Sequence, residues 1–374
     1  MKKLNISQVD TIFSNGSYPI EFLLYYRNRL RSKHIKSALI MLSSAFWPMF
    51  GEYRAGNIQF RKFTVNDCFD EEILNEDFDS SESSKNIYEK YCNRTPSDLS
   101  RLFFLKVIQL RNGTLLLPKM NHLVGDGYSY FYFLSVLAAI SQENIVPFKK
   151  FVIRTIFKPH HHRTVLRNFK LSDFELQPMP EYKNPTIEFE ATPRSMVKDM
   201  VKDLARNLDE KVSANDILAA MVVKKSVEKQ SKFFGDEFHL TIPIDVRRKI
   251  KEYGSKYFGN PLMFNVTHFK TSDIEESSPD TIAVTIRKSM PEIYRDTYLK
   301  YLTNLETMIA NRQADELIPY DPEKGCLVTN LSRLPVNRLN FGTGNPDFIF
   351  PLTVGKNSTA ILADKDNFIL RFVY

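Results

Sequence analysis

The stretch Asn121-His122-Leu123-Val124-Gly125-Asp126-Gly127 decides how the rest of this 374-residue chain is read. Upstream of it, Leu102 to Leu110 and Thr114 to Met120 are apolar or β-favouring runs joined through Asn112-Gly113, a strong hairpin signal. The second strand of that hairpin delivers Asn121-His122, and a helix-like aromatic run follows Gly127, so residues 122–127 occupy a strand-to-helix turn. A histidine that ends a buried strand is by default a satisfied turn residue. Here Gly125 and Gly127 permit close approaches that a side chain forbids, and Asp126 can pair with a cation to hold the turn. The strand end also presents side chains to a cleft. An imidazole, with an unperturbed pKa of about 6.5, can take a proton from a hydroxyl or amine as that atom attacks a carbonyl. There is no GxSxG motif, and Cys68, Cys92 and Cys326 have no catalytic setting, so direct transfer without a covalent enzyme intermediate is the simpler chemistry.

The length exceeds what one core usually supports, so two domains with a cleft between them are expected. With 43% hydrophobic, 25% charged and 13% aromatic residues, the chain has the composition of an ordinary globular protein rather than a disordered one. Lys and Arg number 51 against 44 Asp and Glu, and the resulting +7 is spread along the chain instead of forming a nucleic-acid-binding stripe. Three cysteines without CxxC spacing suggest neither a disulfide scaffold nor a thiolate metal site. The start lacks the apolar core of a secretory signal, and Tyr128 to Ile140 is shorter than the roughly 20 residues of a bilayer span. A cytoplasmic monomer is expected, with no nucleic acid and no membrane span.

Apolar periodicity predicts helices over Tyr18 to Arg31 and Ile35 to Phe46, and Asp67 to Ser84 reads as an acidic surface loop. Between Lys158 and Lys183 the pattern is lost, which suits a crossover; His160-His161-His162 within it lacks the partners of a zinc site. Thereafter a strand is expected around Ile187 to Glu190 and helices from Ser195 and from Ser213. Further strands are expected at Phe238 to Ile244, Phe264 to Phe269, Leu327 to Leu331, Asp347 to Leu352, Ser358 to Leu362 and Phe368 to Val373, and one long helix over Pro279 to Ala314. The predicted class is α/β (α+β), a mixed, largely antiparallel sheet with helices, twice.

The segment His122-x-x-x-Asp126-Gly127 resembles the HxxxDG signature of the superfamily of chloramphenicol acetyltransferase, peptide-synthetase condensation domains and BAHD acyltransferases. Other signposts resemble BAHD elements in the same order. They are Ile6-Ser7-Gln8-Val9-Asp10, the Leu39 to Gly51 helix and turn, and the helix start Ser213 to Ala220, then Asp245-Val246-Arg247-Arg248 and Tyr257-Phe258-Gly259-Asn260. Thr329-Asn330-Leu331-Ser332-Arg333-Leu334-Pro335 and Asn340-Phe341-Gly342-Thr343-Gly344-Asn345-Pro346 are similar to the Thr-Ser-Trp-x-Arg-x-Pro segment and the DFGWG-x-Pro motif. The sequence departs from the pattern at Asn340, Thr343 and Leu331, where the family carries Asp, Trp and often Trp.

The resemblance implies two chloramphenicol-acetyltransferase-like lobes, 1–165 and 186–374, joined by a crossover at 166–185, with an active-site tunnel between them. It implies an acyl-CoA-dependent acyltransferase of secondary metabolism, with a coenzyme A thioester as co-substrate, no bound cofactor and no metal. It implies that His122 is the base, that Asp126 points away from the substrate toward Arg247, and that Asn260, Thr329 and Asn330 line the tunnel. Thr329 becomes the candidate oxyanion donor once Leu331 has no indole, and Gly127 would let a pantetheine arm or the backbone pass close by. Two other readings remain: a condensation-type enzyme with the acyl group on a carrier protein, and an inactive binding module of the same fold.

Overall fold

The computed structural model describes residues 1–14, 19–97, 101–142, 159, 182, 184–207, 211–311 and 320–374. The expected crossover at 166–185 and the His160-His161-His162 run lie outside the described residues, apart from positions 182, 184 and 185.

Among the described residues three sheets form. The first has the order β12 (Phe348–Pro351), β2 (Pro19–Tyr26), β7 (Gly113–Asn121), β6 (Phe103–Leu110) and β5 (Phe69–Ile73). The second runs β10 (Leu262–Lys270), β9 (Glu237–Asp245), β11 (Gly325–Asn330), β13 (Ser358–Ala363), β14 (Asn367–Val373) and β8 (Ile187–Pro193). A small third sheet joins β1 (Lys2–Asn5), β4 (Asn57–Phe60) and β3 (Glu52–Arg54). Pairing is antiparallel except between β5 and β6 and between β11 and both of its neighbours. The helices are α1 (Gln8–Ser14), α2 (Ser32–Leu42), α3 (Ser84–Tyr91), α4 (Gly127–Ser141), α5 (Arg194–Asn207), α6 (Ala214–Phe234), α7 (Thr271–Glu276), α8 (Pro279–Ser289) and α9 (Arg295–Ala310).

Each large sheet has its own core, which makes two lobes. In the first, Leu24, Phe103 and Leu116 of the sheet pack on Leu39 of α2 and Phe133 of α4. In the second, Leu218, Val222 and Val223 of α6 cover Leu240, Val328 and Leu370. Each fully buried Leu or Phe contributes about 1.5–3 kcal/mol before chain entropy is counted. The lobes are laced together by β12, which comes from the second half of the chain but pairs with β2 in the first sheet. Beside it, Thr353 Oγ1 accepts from the Glu21 amide at 2.9 Å and donates to the Pro19 carbonyl at 3.0 Å.

Three sequence expectations need correction. The helix expected over Tyr18 to Arg31 is strand β2, whose residues are almost all buried. With both faces covered, its apolar run carries no period-2 signal, and periodicity alone cannot separate it from a helix. Within the acidic stretch expected as a loop, Phe69–Ile73 forms β5, an edge strand parallel to β6. Its acids blunt an open edge, and Lys106 of β6 pairs with Asp70 at 2.7 Å and Glu72 at 3.0 Å. The single helix expected over Pro279 to Ala314 is broken into α8 and α9. Pro291 ends the first, holding Met290 extended at φ −68°, ψ 125°.

The hairpin forms as expected, with Gly113 opening β7 rather than sitting in the turn. A Cβ there would lie 2.2 Å from the Tyr26 carbonyl oxygen, so the neighbouring strand requires glycine. At the eroded DFGWG-like turn, Asn340 Oδ1 accepts from the amides of Gly342 at 2.8 Å and Gly344 at 3.0 Å. One carbonyl oxygen is enough for both bonds, which explains how asparagine holds this turn.

Candidate active site

β7 ends at Asn121, whose side chain folds the chain into the next turn: its Oδ1 accepts from the Leu123 amide at 2.9 Å. The turn closes at Asp126, the N-cap of α4, with Oδ1 accepting from the Ser129 amide at 3.0 Å. The helix therefore begins where Asp126 is held, and His122 is presented between strand and helix.

Asp126 is fixed from the other lobe. Arg247 Nη1 donates to Asp126 Oδ2 at 2.6 Å and Nη2 to Oδ1 at 2.8 Å, a bidentate pair with both side chains buried. The guanidinium also donates to the carbonyls of Tyr257 (3.2 Å) and Gly259 (3.1 Å) and to Ser129 Oγ (3.1 Å). Asp245 Oδ1 lies 3.1 Å from Nη1, and the Tyr128 ring covers the guanidinium with its centroid at 4.7 Å. A buried pair tolerates desolvation only when its remaining donors are satisfied, as they are here. Burial alone would raise the Asp126 carboxyl, but the adjacent Arg247 guanidinium overrides it and holds the carboxyl below its ordinary range.

His122 is half-buried, with Nδ1 enclosed by protein and the ring lining the cavity. Asp126 spends its oxygens on Arg247 and Ser129, so the two residues do not form a hydrogen-bonded dyad. Burial lowers the imidazole pKa from its ordinary value, opposed by the Asp126 charge. Asn260 Nδ2 donates to the His122 carbonyl at 2.9 Å. The turn is thus pinned at His122 and at Asp126, both times by the second lobe.

The turn opens on a cavity of about 1150 Å³ between the lobes, lined by Pro19, Ile20 and His122 of one and by Ile242, Thr329 and Ser358 of the other. Thr329 and Asn330 both line it from β11, but Asn330 already donates to Asn215 Oδ1 (2.8 Å) and accepts from Ser332. Its amide therefore braces the start of α6 and the turn after β11. Among the described residues no cluster of three His, Cys, Asp or Glu side chains could hold a metal ion. No helix among them is long and apolar enough to cross a membrane.

The structure brings together His122, Asp126, Arg247 and Asn260, but Asn260 is buried behind the turn and is not among the residues lining the cavity, where it was expected. Three residues that sequence reasoning missed as site residues join them: Asn121, Ser129 and Gly259. Asn121 and Ser129 were signalled by no more than a polar residue ahead of the turn and a serine at the N3 position of α4, both common elsewhere, and Gly259 by its place in the Tyr257-Phe258-Gly259-Asn260 element. Within the protein, the close approach falls at the neighbouring glycine, Gly125, rather than at Gly127. A Cβ on Gly127 would rest 3.6 Å from Leu331 and Leu334 side-chain carbons, an ordinary contact, whereas one on Gly125 would lie 2.6 Å from Ser129 Cβ. Gly125→Ala should cost about 1–3 kcal/mol through overpacking, and Gly127→Ala under about 0.5 kcal/mol, as read by urea denaturation. Equal costs would contradict this account.

Vinorine synthase is similar in fold, at 16% identity over 100% of this chain and 90% of its own, with a TM-score of 0.76. TRI101 of F. sporotrichioides, crystallised with coenzyme A and T-2, matches at 13% identity over 99% of this chain and 94% of its own (TM-score 0.73). The first condensation domain of the CDA synthetase matches at 12% identity over 100% and 90% (TM-score 0.59). A search of curated proteins returns no match. The sequence model of the Transferase family matches residues 1–367, and the chain belongs to that family as a BAHD-like acyltransferase.

Proposed function

We propose that this acyltransferase moves an acyl group from a coenzyme A thioester to a hydroxyl or amine of a small-molecule acceptor, with His122 as general base. The observation that carries the reading is His122 itself: an imidazole on the interlobe cavity, kept neutral by burial, in a turn that Asp126–Arg247 and Asn260 immobilise. His122 Nε2 takes the acceptor proton as the acceptor oxygen or nitrogen bonds to the thioester carbonyl carbon. The carbonyl π electrons move to oxygen, with Thr329 as the candidate donor to that oxyanion. As the carbonyl re-forms, the C–S bond breaks and the imidazolium returns the proton to the thiolate. Asp126 acts through geometry, since its oxygens face Arg247 rather than the imidazole.

The solved relative holding coenzyme A and T-2 supports this choice of donor and acceptor classes. Exposed Arg248, Lys249 and Arg333 line the cavity and suit the donor's phosphates. The lobes of this reading are 1–165 and 186–374 joined by 166–185, the second lending β12 to the first sheet.

Thiol release over a panel of acyl-CoA donors with alcohol and amine acceptors tests the proposal; no release with any pairing overturns it. The acid limb of kcat/KM is a second expected outcome. The base works when neutral and burial lowers its pKa, so activity should rise through an apparent pKa below the ordinary value of about 6.5. A limb at 7 or above would contradict the burial of His122.

A further inference from the structure

We propose that Ser129 is a positioning residue for the acyl transfer, holding the second lobe's Gly259-Asn260 segment in the register that fixes His122; this rests on the reading of His122 as the base. Ser129 is fully buried, and its one hydroxyl makes three bonds across the lobe boundary. Oγ donates to the Gly259 carbonyl at 3.1 Å, accepts from the Gly259 amide at 3.1 Å and accepts from Arg247 Nη2 at 3.1 Å. Both polar groups of residue 259 are therefore held by one side chain of α4.

The Gly259 carbonyl also accepts from the Asp126 amide at 3.1 Å and from Arg247 Nη2 at 3.1 Å, so the loop is registered against the turn itself. The next residue carries the effect to the site. Asn260 Nδ2 reaches the His122 carbonyl at 2.9 Å, and the side chain is short, so the backbone it hangs from sets the aim of that amide. The circuit closes: Ser129 holds Gly259, Gly259 places Asn260, and Asn260 holds His122 at the other end of the turn that leads back to Ser129. Gly125 completes the case, because a Cβ there would lie 2.9 Å from Ser129 Oγ, so the turn leaves room for this hydroxyl.

The test compares Ser129→Ala, Asn260→Ala, the double variant and His122→Ala by steady-state thiol release. Ser129→Ala should lower kcat about tenfold or more, as a small misplacement of a reacting group does, with KM for acyl-CoA within about twofold. Because Ser129 acts through Asn260, the double variant should be no slower than the slower single variant. Ser129→Cys keeps a γ atom in place, though a larger one on a longer bond, and is a weak hydrogen-bonding group, and it should show a kcat loss of similar size. It decides the matter if Ser129→Ala fails to fold. A wild-type kcat in either Ser129 variant, or multiplicative losses in the double variant, overturns the proposal. If His122→Ala keeps full activity, the reading of the base falls; if it is inactive while Ser129→Cys is unaffected, only this inference falls.

Discussion

Replacing His122 with alanine is expected to lower kcat by about 10²–10⁴-fold, the usual contribution of a positioned general base, while leaving the fold intact. The strongest hold on this residue, from Asn260 Nδ2, is on its backbone carbonyl at 2.9 Å, which alanine keeps. The imidazole ends at the cavity rather than within the core clusters, so its removal opens no void in the core. Steady-state thiol release beside a thermal denaturation scan checks both halves. Near-normal release in a folded variant would remove His122 from the chemistry.

The second large effect is on stability. Asp126→Ala should destabilise the protein by about 3–5 kcal/mol, the cost of leaving a buried charge without its partner. Asp245, 3.1 Å from Nη1, compensates in part and argues for the lower end of that range. The same substitution removes the N-cap acceptor of α4, adding about 1 kcal/mol. Asp126→Asn keeps the shape and one carbonyl acceptor and should cost less. Equilibrium denaturation measures both, and an Asp126→Ala cost under about 1 kcal/mol would show that Arg247 finds full compensation elsewhere. The sign of the pH dependence follows from the pair. Because the folded carboxyl pKa is depressed, the stabilisation is present above the ordinary carboxylate pKa and is lost as pH falls through the folded value. In Asp126→Asn that part of the acid sensitivity should disappear.

The two predictions separate what the turn does from what holds it. His122 faces the cavity and can be removed without unfolding the site, whereas Asp126 faces the second lobe and cannot. Loss of activity in an Asp126 variant is therefore expected to follow from displacement of the turn, not from loss of a proton carrier.

By itself the sequence carried the fold class, the hairpin that presents His122 and the helix that starts after this turn, from local signals: apolar patterning, an Asn-Gly hairpin and a helix-like aromatic run. The arginine opposite Asp126 came from the resemblance to BAHD enzymes, through short motifs in fixed order. Tertiary structure alone decided the rest, because the deciding partners are distant in sequence. β2 is a strand because β7 and β12 flank it, and nothing within Pro19–Tyr26 distinguishes a doubly buried strand from a helix. Asn330 looked free to meet a ligand until Asn215 was placed against it. Gly125, not Gly127, needs its missing Cβ, because Ser129 packs against that position. Ser129 became a site residue only when Gly259 arrived from the other lobe, since a hydroxyl has no assigned role until the groups it bonds are brought within reach.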